Sequence, residues 1–171
     1  MRPPLIHIVG RRNHGKTTLL ELLCRELRGR GVRVGTVKHS SHRHELDRPG
    51  KDSYRHRQAG ADPVAVLTPG LTAAYFPGDD NLAWERIAPL FVSCDLVLVE
   101  GAVDRPGVKL EVWRAGQGQT PLALERADIV AVITDDDPGT VRAARWPRSA
   151  VGLLCDRVLE LAERAAAPGP Q

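Results

Sequence analysis

The hydrophobic pattern changes period twice within the first forty residues. Leu5-Ile6-His7-Ile8-Val9 is a short, β-branched, nearly continuous apolar run, as in a strand buried on both faces, and Gly10 ends it. Leu19, Leu20, Leu22, Leu23 and Leu27 then recur at helical spacing as far as Arg30, with Gly31 as a C-terminal stop. Val32 to Lys38 returns to a strand pattern, reached through a helix as a parallel crossover requires. The stretch from His39 to Lys51 is polar and closes on Arg48-Pro49-Gly50, which predicts an exposed loop. A short helix follows from Asp52 to Ala59, then a strand over 62–68 and, past the Pro69-Gly70 turn, a hairpin partner or edge strand over 71–76. Residues 80–91 read as a helix interrupted late by Pro89. Leu96 to Glu100, Lys109 to Trp113 and Ile129 to Thr134 read as strands, and 151–167 as a helix striped by Leu153, Leu154, Val158 and Leu161. Residues 165–171 read as a frayed tail. Alternating strands and helices with no internal repeat predict one α/β domain over 1–171.

The loop between the first strand and helix carries the chemistry. Gly10-Arg11-Arg12-Asn13-His14-Gly15-Lys16-Thr17 matches the complete phosphate-loop pattern, and strand and helix flank it on the sides the pattern requires. Successive N–H groups and the positive helix end enclose phosphate oxygens there. Lys16 reaches the β/γ-phosphates, the Thr17 hydroxyl helps hold magnesium, and Thr18 is a local helix or phosphate contact. The fold expected is therefore that of a P-loop NTPase, a mostly parallel central sheet flanked by helices with an added hairpin. Glu100 ends a continuous apolar strand and, if that strand joins the same parallel sheet, lies at the carboxyl edge where the phosphate loop opens. That makes it a metal-region acid, with a solvated turn acid as the alternative. Asp95 stands at the other end of the same strand, about 17 Å away at roughly 3.3 Å per residue, and reads as structural.

Charge adds direction to this picture. Residues 1–60 hold 14 Lys and Arg against 5 Asp and Glu and all six histidines, whereas residues 61–171 hold 10 against 16. A positive front half suits a polyanion. Lys38, at a strand end beside the phosphate edge, continues that field, and the histidines and Arg43 of the following loop can donate to phosphate. Asp52 is either a metal-region acid or an N-cap. Asp135, in the Thr134-Asp135-Asp136 turn, could accept from guanine N1–H and N2–H or be an ordinary surface acid, since no Asn-Lys-x-Asp signature is present. Cys24, Cys94 and Cys155 are 70 and 61 residues apart, without metal or redox spacing, and their odd count fits a reducing compartment, the cytoplasm. No apolar run approaches a membrane span.

Several segments together are more specific than the loop alone. The phosphate loop, Val37-Lys38-His39-Ser40-Ser41-His42, Asp47-Arg48-Pro49-Gly50-Lys51-Asp52-Ser53-Tyr54, Ala59-Gly60-Ala61 and Asp95 through Glu100-Gly101 closely resemble the bacterial molybdopterin-guanine dinucleotide biosynthesis protein B family over residues 5–115. The resemblance implies a cytoplasmic homodimer that binds GTP with Mg2+ and hydrolyses it weakly. It implies an accessory role in attaching a guanosine monophosphate unit to molybdopterin, alongside a separate nucleotidyltransferase (MobA family). It carries Gly10, Gly15, Lys16 and Thr17 onto the family's phosphate loop and Glu100 with Gly101 onto its altered second motif. Lys38-His39 and Pro49 to Ser53 fall on its characteristic loops, and the Arg11-Arg12-Asn13-His14 interior is more basic than the family's usual version. Lys16, Asp52 and Glu100 are the residues expected to serve hydrolysis. Two other classes compete: a small-molecule phosphotransferase, and a non-enzymatic nucleic-acid module, against which the 4% aromatic content counts.

Overall fold

The computed structural model describes residues 2–40, 42–78 and 83–166. In chain order its elements are β1 (Leu5–Val9), α1 (Lys16–Gly29), β2 (Val34–Lys38), α2 (Asp52–Gln58), β3 (Val64–Leu67), β4 (Thr72–Tyr75), α3 (Ala83–Ile87), β5 (Leu96–Glu100), β6 (Val108–Val112), β7 (Ile129–Ile133), β8 (Ala144–Trp146) and α4 (Val151–Ala166). They gather into two compact units, Met1–Ser40 with Phe91–Gln171, and Ser41–Leu90. Nothing in the alternation of strands and helices marks this division.

The first unit is a six-stranded sheet in the order β2-β5-β1-β6-β7-β8, every neighbouring pair parallel. A parallel sheet covered on both faces needs strands apolar throughout, which is why β5 is buried at all five positions. One face packs under α1 and α4: Ile6, Ile8, Leu96, Leu98, Leu110, Val112 and Ile133 meet Leu19, Leu23 and Leu27 of α1 and Leu154, Cys155 and Val158 of α4. Each buried leucine of the α1 stripe contributes about 1.5–3 kcal/mol relative to exposure. The two helices are also tied by Arg30, whose guanidinium donates to Glu26, Asp156 and the carbonyl of Gly152. Gly31 ends α1 as its position predicts. At φ +81° it lets its own N–H reach the carbonyl of Arg28 and that of Val32 reach Leu27, the paired bonds of a Schellman motif.

β6 departs from what its alternating pattern implies. Lys109 and Glu111 are buried rather than turned to water. Lys109 Nζ pairs with Asp128 at 2.8 Å, and the Glu111 carboxylate accepts the N–H groups of Leu122 and Ala123 at 2.7 and 2.9 Å. Burial nevertheless pushes the Glu111 carboxyl above its ordinary value.

In the second unit β3 and β4 form the antiparallel hairpin, closed by Thr68, whose hydroxyl accepts the Leu71 N–H at 3.0 Å. The loop before α2 is largely exposed but has an internal anchor. Asp47 is buried, and one of its oxygens accepts the Arg48 N–H and the Ser53 hydroxyl. α2 begins one residue earlier than a cap at Asp52 would require: Lys51 occupies the cap position without a side-chain bond, and Asp52 is the first helical residue. The helix expected over 80–91 is a short α3 followed by a 3₁₀ turn at Ala88–Phe91, since Pro89 cannot supply an N–H to a longer α-helix; 80–82 lie outside the described residues. β8 is an unanticipated strand of three residues. α4 includes residues 165 and 166, assigned to the tail by sequence, while 167–171 lie outside the described residues. Among the described residues no helix is long and apolar enough to cross a membrane.

Candidate nucleotide site

β1 lies between β5 and β6, so the loop that leaves its carboxyl end opens where the strand order turns outward to both sides, the usual ligand position in open α/β sheets. Gly10 starts that loop at φ +138°, and a Cβ there would stand 2.5 Å from the carbonyl oxygen of Val112, so backbone alone fits against β6. Asn13 also has a positive φ, of 66°. Lys16 folds back over the loop, its Nζ donating to the carbonyls of Gly10 and Arg11, each at 2.8 Å. Burial lowers its pKa from the ordinary lysine value, opposed by the attraction of Glu100.

Register brings the acid to the loop. Ile8 of β1 pairs with Glu100 of β5, and Glu100 in turn with Lys38 of β2. The Glu100 side chain is largely buried, and Oε1 accepts both the Thr17 hydroxyl at 2.9 Å and Lys38 Nζ at 3.2 Å. Gly101 continues the edge: its N–H donates to Ile8, while the Glu100 carbonyl accepts the His39 N–H. Asp95, at the far end of β5, binds the backbone N–H and guanidinium of Arg33, the structural role read from its position.

Other residues of the motif turn elsewhere. His14 is fully buried, its Nδ1 accepting the Arg114 N–H at 3.0 Å and its Nε2 facing Gln119 Oε1 at 3.3 Å. These partners assign the proton to Nε2, and burial lowers the imidazole pKa. Within the motif His14 therefore offers phosphate only its backbone N–H. Arg11 reaches the Thr120 carbonyl and Glu125, whereas Arg12 and Thr18 are exposed. Asp135 accepts the Ser149 N–H and hydroxyl through one oxygen, at 3.0 and 2.9 Å, so it pins the loop before α4. Those bonds hold its pKa below the usual carboxylate range. Asp136 accepts the Ala115 N–H. Asp52 belongs to the second unit, where its side chain is 89% exposed and 4.0 Å from Arg55.

Two arginines outside every motif also reach the loop. Arg114 follows β6 and Arg148 follows β8, and both guanidiniums lie against Gly15. The strand-end position of Arg114 at the carboxyl edge was a usable signal; nothing local marks Arg148.

A strand, a glycine-bounded loop closed by Lys16 and Thr17, and an acid delivered by the neighbouring parallel strand define a protein of the P-loop NTPase fold. The family model for molybdopterin guanine dinucleotide synthesis protein B matches residues 5–135, and the chain belongs to that family. It is 34% identical over 161 residues to the molybdopterin-guanine dinucleotide biosynthesis adapter protein of Escherichia coli (strain K12), covering 92% of each chain. It is 33% identical to the probable adapter protein of Bacillus subtilis (strain 168), over 78% of each. Among solved structures, Bacillus subtilis MobB superposes with a TM-score of 0.69 at 25% identity, covering 91% of this chain and 98% of that one. A crystal structure of a molybdopterin-guanine biosynthesis protein B gives 0.68 at 24% identity, over 93% and 99%, a likeness of fold.

Proposed function

We propose that this chain is a GTP-binding adapter in the synthesis of molybdopterin-guanine dinucleotide, with a low intrinsic Mg2+-dependent GTPase activity. The observation that carries the reading is the Thr17 hydroxyl 2.9 Å from a buried, strand-end Glu100, beside a lysine folded over the phosphate loop. A hydroxyl and a carboxylate are hard oxygen donors of the kind magnesium takes together with phosphate oxygens, so the residues fit the ion. When bound, Mg2+ neutralises charge on the terminal phosphates. The protein's own part is to bind and orient. Backbone N–H groups of residues 11–18 enclose the phosphates, Lys16 exchanges loop carbonyls for phosphate oxygens, and Lys38 balances the Glu100 carboxylate. Membership of the family supports the pathway, a cytoplasmic setting, homodimerisation, and a nucleotidyltransferase and molybdopterin as partners.

Nucleotide titrations with and without Mg2+, followed by addition of molybdopterin and the transferase, test this reading. Selective GTP binding strengthened by Mg2+, with increased guanine-dinucleotide output, is expected. Unchanged output on adding the GTP-bound protein would contradict the adapter role.

A further inference from the structure

Arg148 and Arg114 make no ion pair among the described residues, although the Asp135 carboxylate, bonded to Ser149, lies near enough to attract Arg148. A Cβ built on Gly15 would stand 2.9 Å from Arg148 Nη2 and 3.1 Å from Arg114 Nη2, which puts these like-charged groups no more than about 6 Å apart. Among the described residues no carboxylate lies within ion-pair distance of either guanidinium. Arg148 Nε and Nη2 are moreover buried with no hydrogen-bond acceptor. A guanidinium with two buried nitrogens beside a second guanidinium costs free energy unless an anion joins them.

Both are held in place by their surroundings. The backbone of Arg114 is fixed to the phosphate loop through His14 Nδ1, and the residue after Arg148 is fixed by Asp135. The backbone that carries the fork is therefore fixed beside the loop it faces. Its side of the loop matters as well. Thr17, Glu100 and Lys38 stand toward β5 and β2, whereas Arg114 and Arg148 follow β6 and β8 on the other side of β1. The proposed seat of the terminal phosphates at Thr17 and Glu100 leaves the arginine side of β1 for the nucleoside-proximal end.

We propose that Arg148 and Arg114 form an anion fork that grips the nucleoside-proximal phosphate of the nucleotide held by the phosphate loop. The ligand supplies the contact counter-charge that Asp135, attracting Arg148 without pairing with it, does not, and guanidinium forks match phosphate oxygens bidentately. This rests on the nucleotide-binding reading above, which the wild-type titration tests by itself.

The test is calorimetric titration of GTP and GDP into the full-length wild type, Arg148→Met, Arg148→Lys and Arg114→Met, with the ligand-free melting temperature of each. Arg148→Met is expected to weaken GTP and GDP by the same factor, about tenfold to a hundredfold. Arg148→Lys should recover part of it, and the ligand-free melting temperature should stay level or rise as repulsion is relieved. Unchanged affinity in folded Arg148→Met overturns the proposal. So does a loss confined to GTP, which would move the contact to the γ-phosphate. If Arg148→Met fails to fold, the same GTP and GDP comparison in Arg114→Met and Arg148→Lys decides the question. Wild type that binds neither nucleotide defeats the underlying reading, and the fork with it.

Discussion

The two flanks of the phosphate loop use acids in opposite ways. Toward β5 and β2, Glu100 is set among side-chain donors, the Thr17 hydroxyl and the Lys38 ammonium. Toward β6, β7 and β8, Asp135 and Asp136 accept backbone N–H groups of Ser149 and Ala115, bonds that shape loops. The first flank is close to neutral in itself. The second has its acids committed to the backbone and its arginines left over. An acidic turn is thus bonded to backbone on one side, while a strand-end acid meets side-chain donors on the other.

Substitutions on and beside the loop can break this comparison, and the largest effect is expected at its centre. Lys16→Ala removes the one ammonium folded over the loop and should weaken GTP about a hundredfold or more, from charge-assisted contacts of about 1.5–3 kcal/mol each. Wild-type affinity in the folded variant, measured by calorimetry, would remove the site assignment. Asp135→Ala comes next. Because its carboxylate positions the residue after Arg148, the variant should lose up to about tenfold in affinity for GTP and GDP alike, with the magnesium dependence intact. A change in magnesium dependence instead would place Asp135 in the metal region.

The smallest effect is on pH dependence. His14 has a folded-state pKa lowered first of all by burial, so the folded chain holds fewer protons there than the unfolded one. Its stabilising contribution is present above the unfolded histidine value of about 6.5 and is lost as pH falls toward the lowered value. Melting temperature should decline between pH 7 and 5, and less steeply in His14→Asn. An identical slope in the two proteins would show that the His14 ring does not carry the dependence.

How much of this was legible depends on how local each feature is. The phosphate loop, the leucine stripe of α1 and the stop at Gly31 are contiguous, so pattern and spacing were enough. Glu100 was legible because a strand end fixes a sheet edge. The inward turn of His14 depends on Arg114 and Gln119, about a hundred residues away, and the position of Arg148 depends on sheet order. Lys109 and Glu111 gave an alternating pattern that ordinarily marks a solvated face, yet distant partners satisfy both in the interior. Asp52 was read as either a metal-region acid or a cap; the helix starts at Asp52 itself, with Lys51 at the cap, because a cap is set by a backbone position that residue type does not fix.

The proposed magnesium site for bound nucleotide is the flank of the loop formed by Glu100 and Thr17. It is tested most directly by titrating GTP into wild type and Glu100→Gln, each with and without Mg2+. Mg2+ is expected to strengthen GTP binding in the wild type, by about tenfold, and this enhancement is expected to disappear in Glu100→Gln while metal-free binding persists. An equal enhancement in both proteins would contradict it.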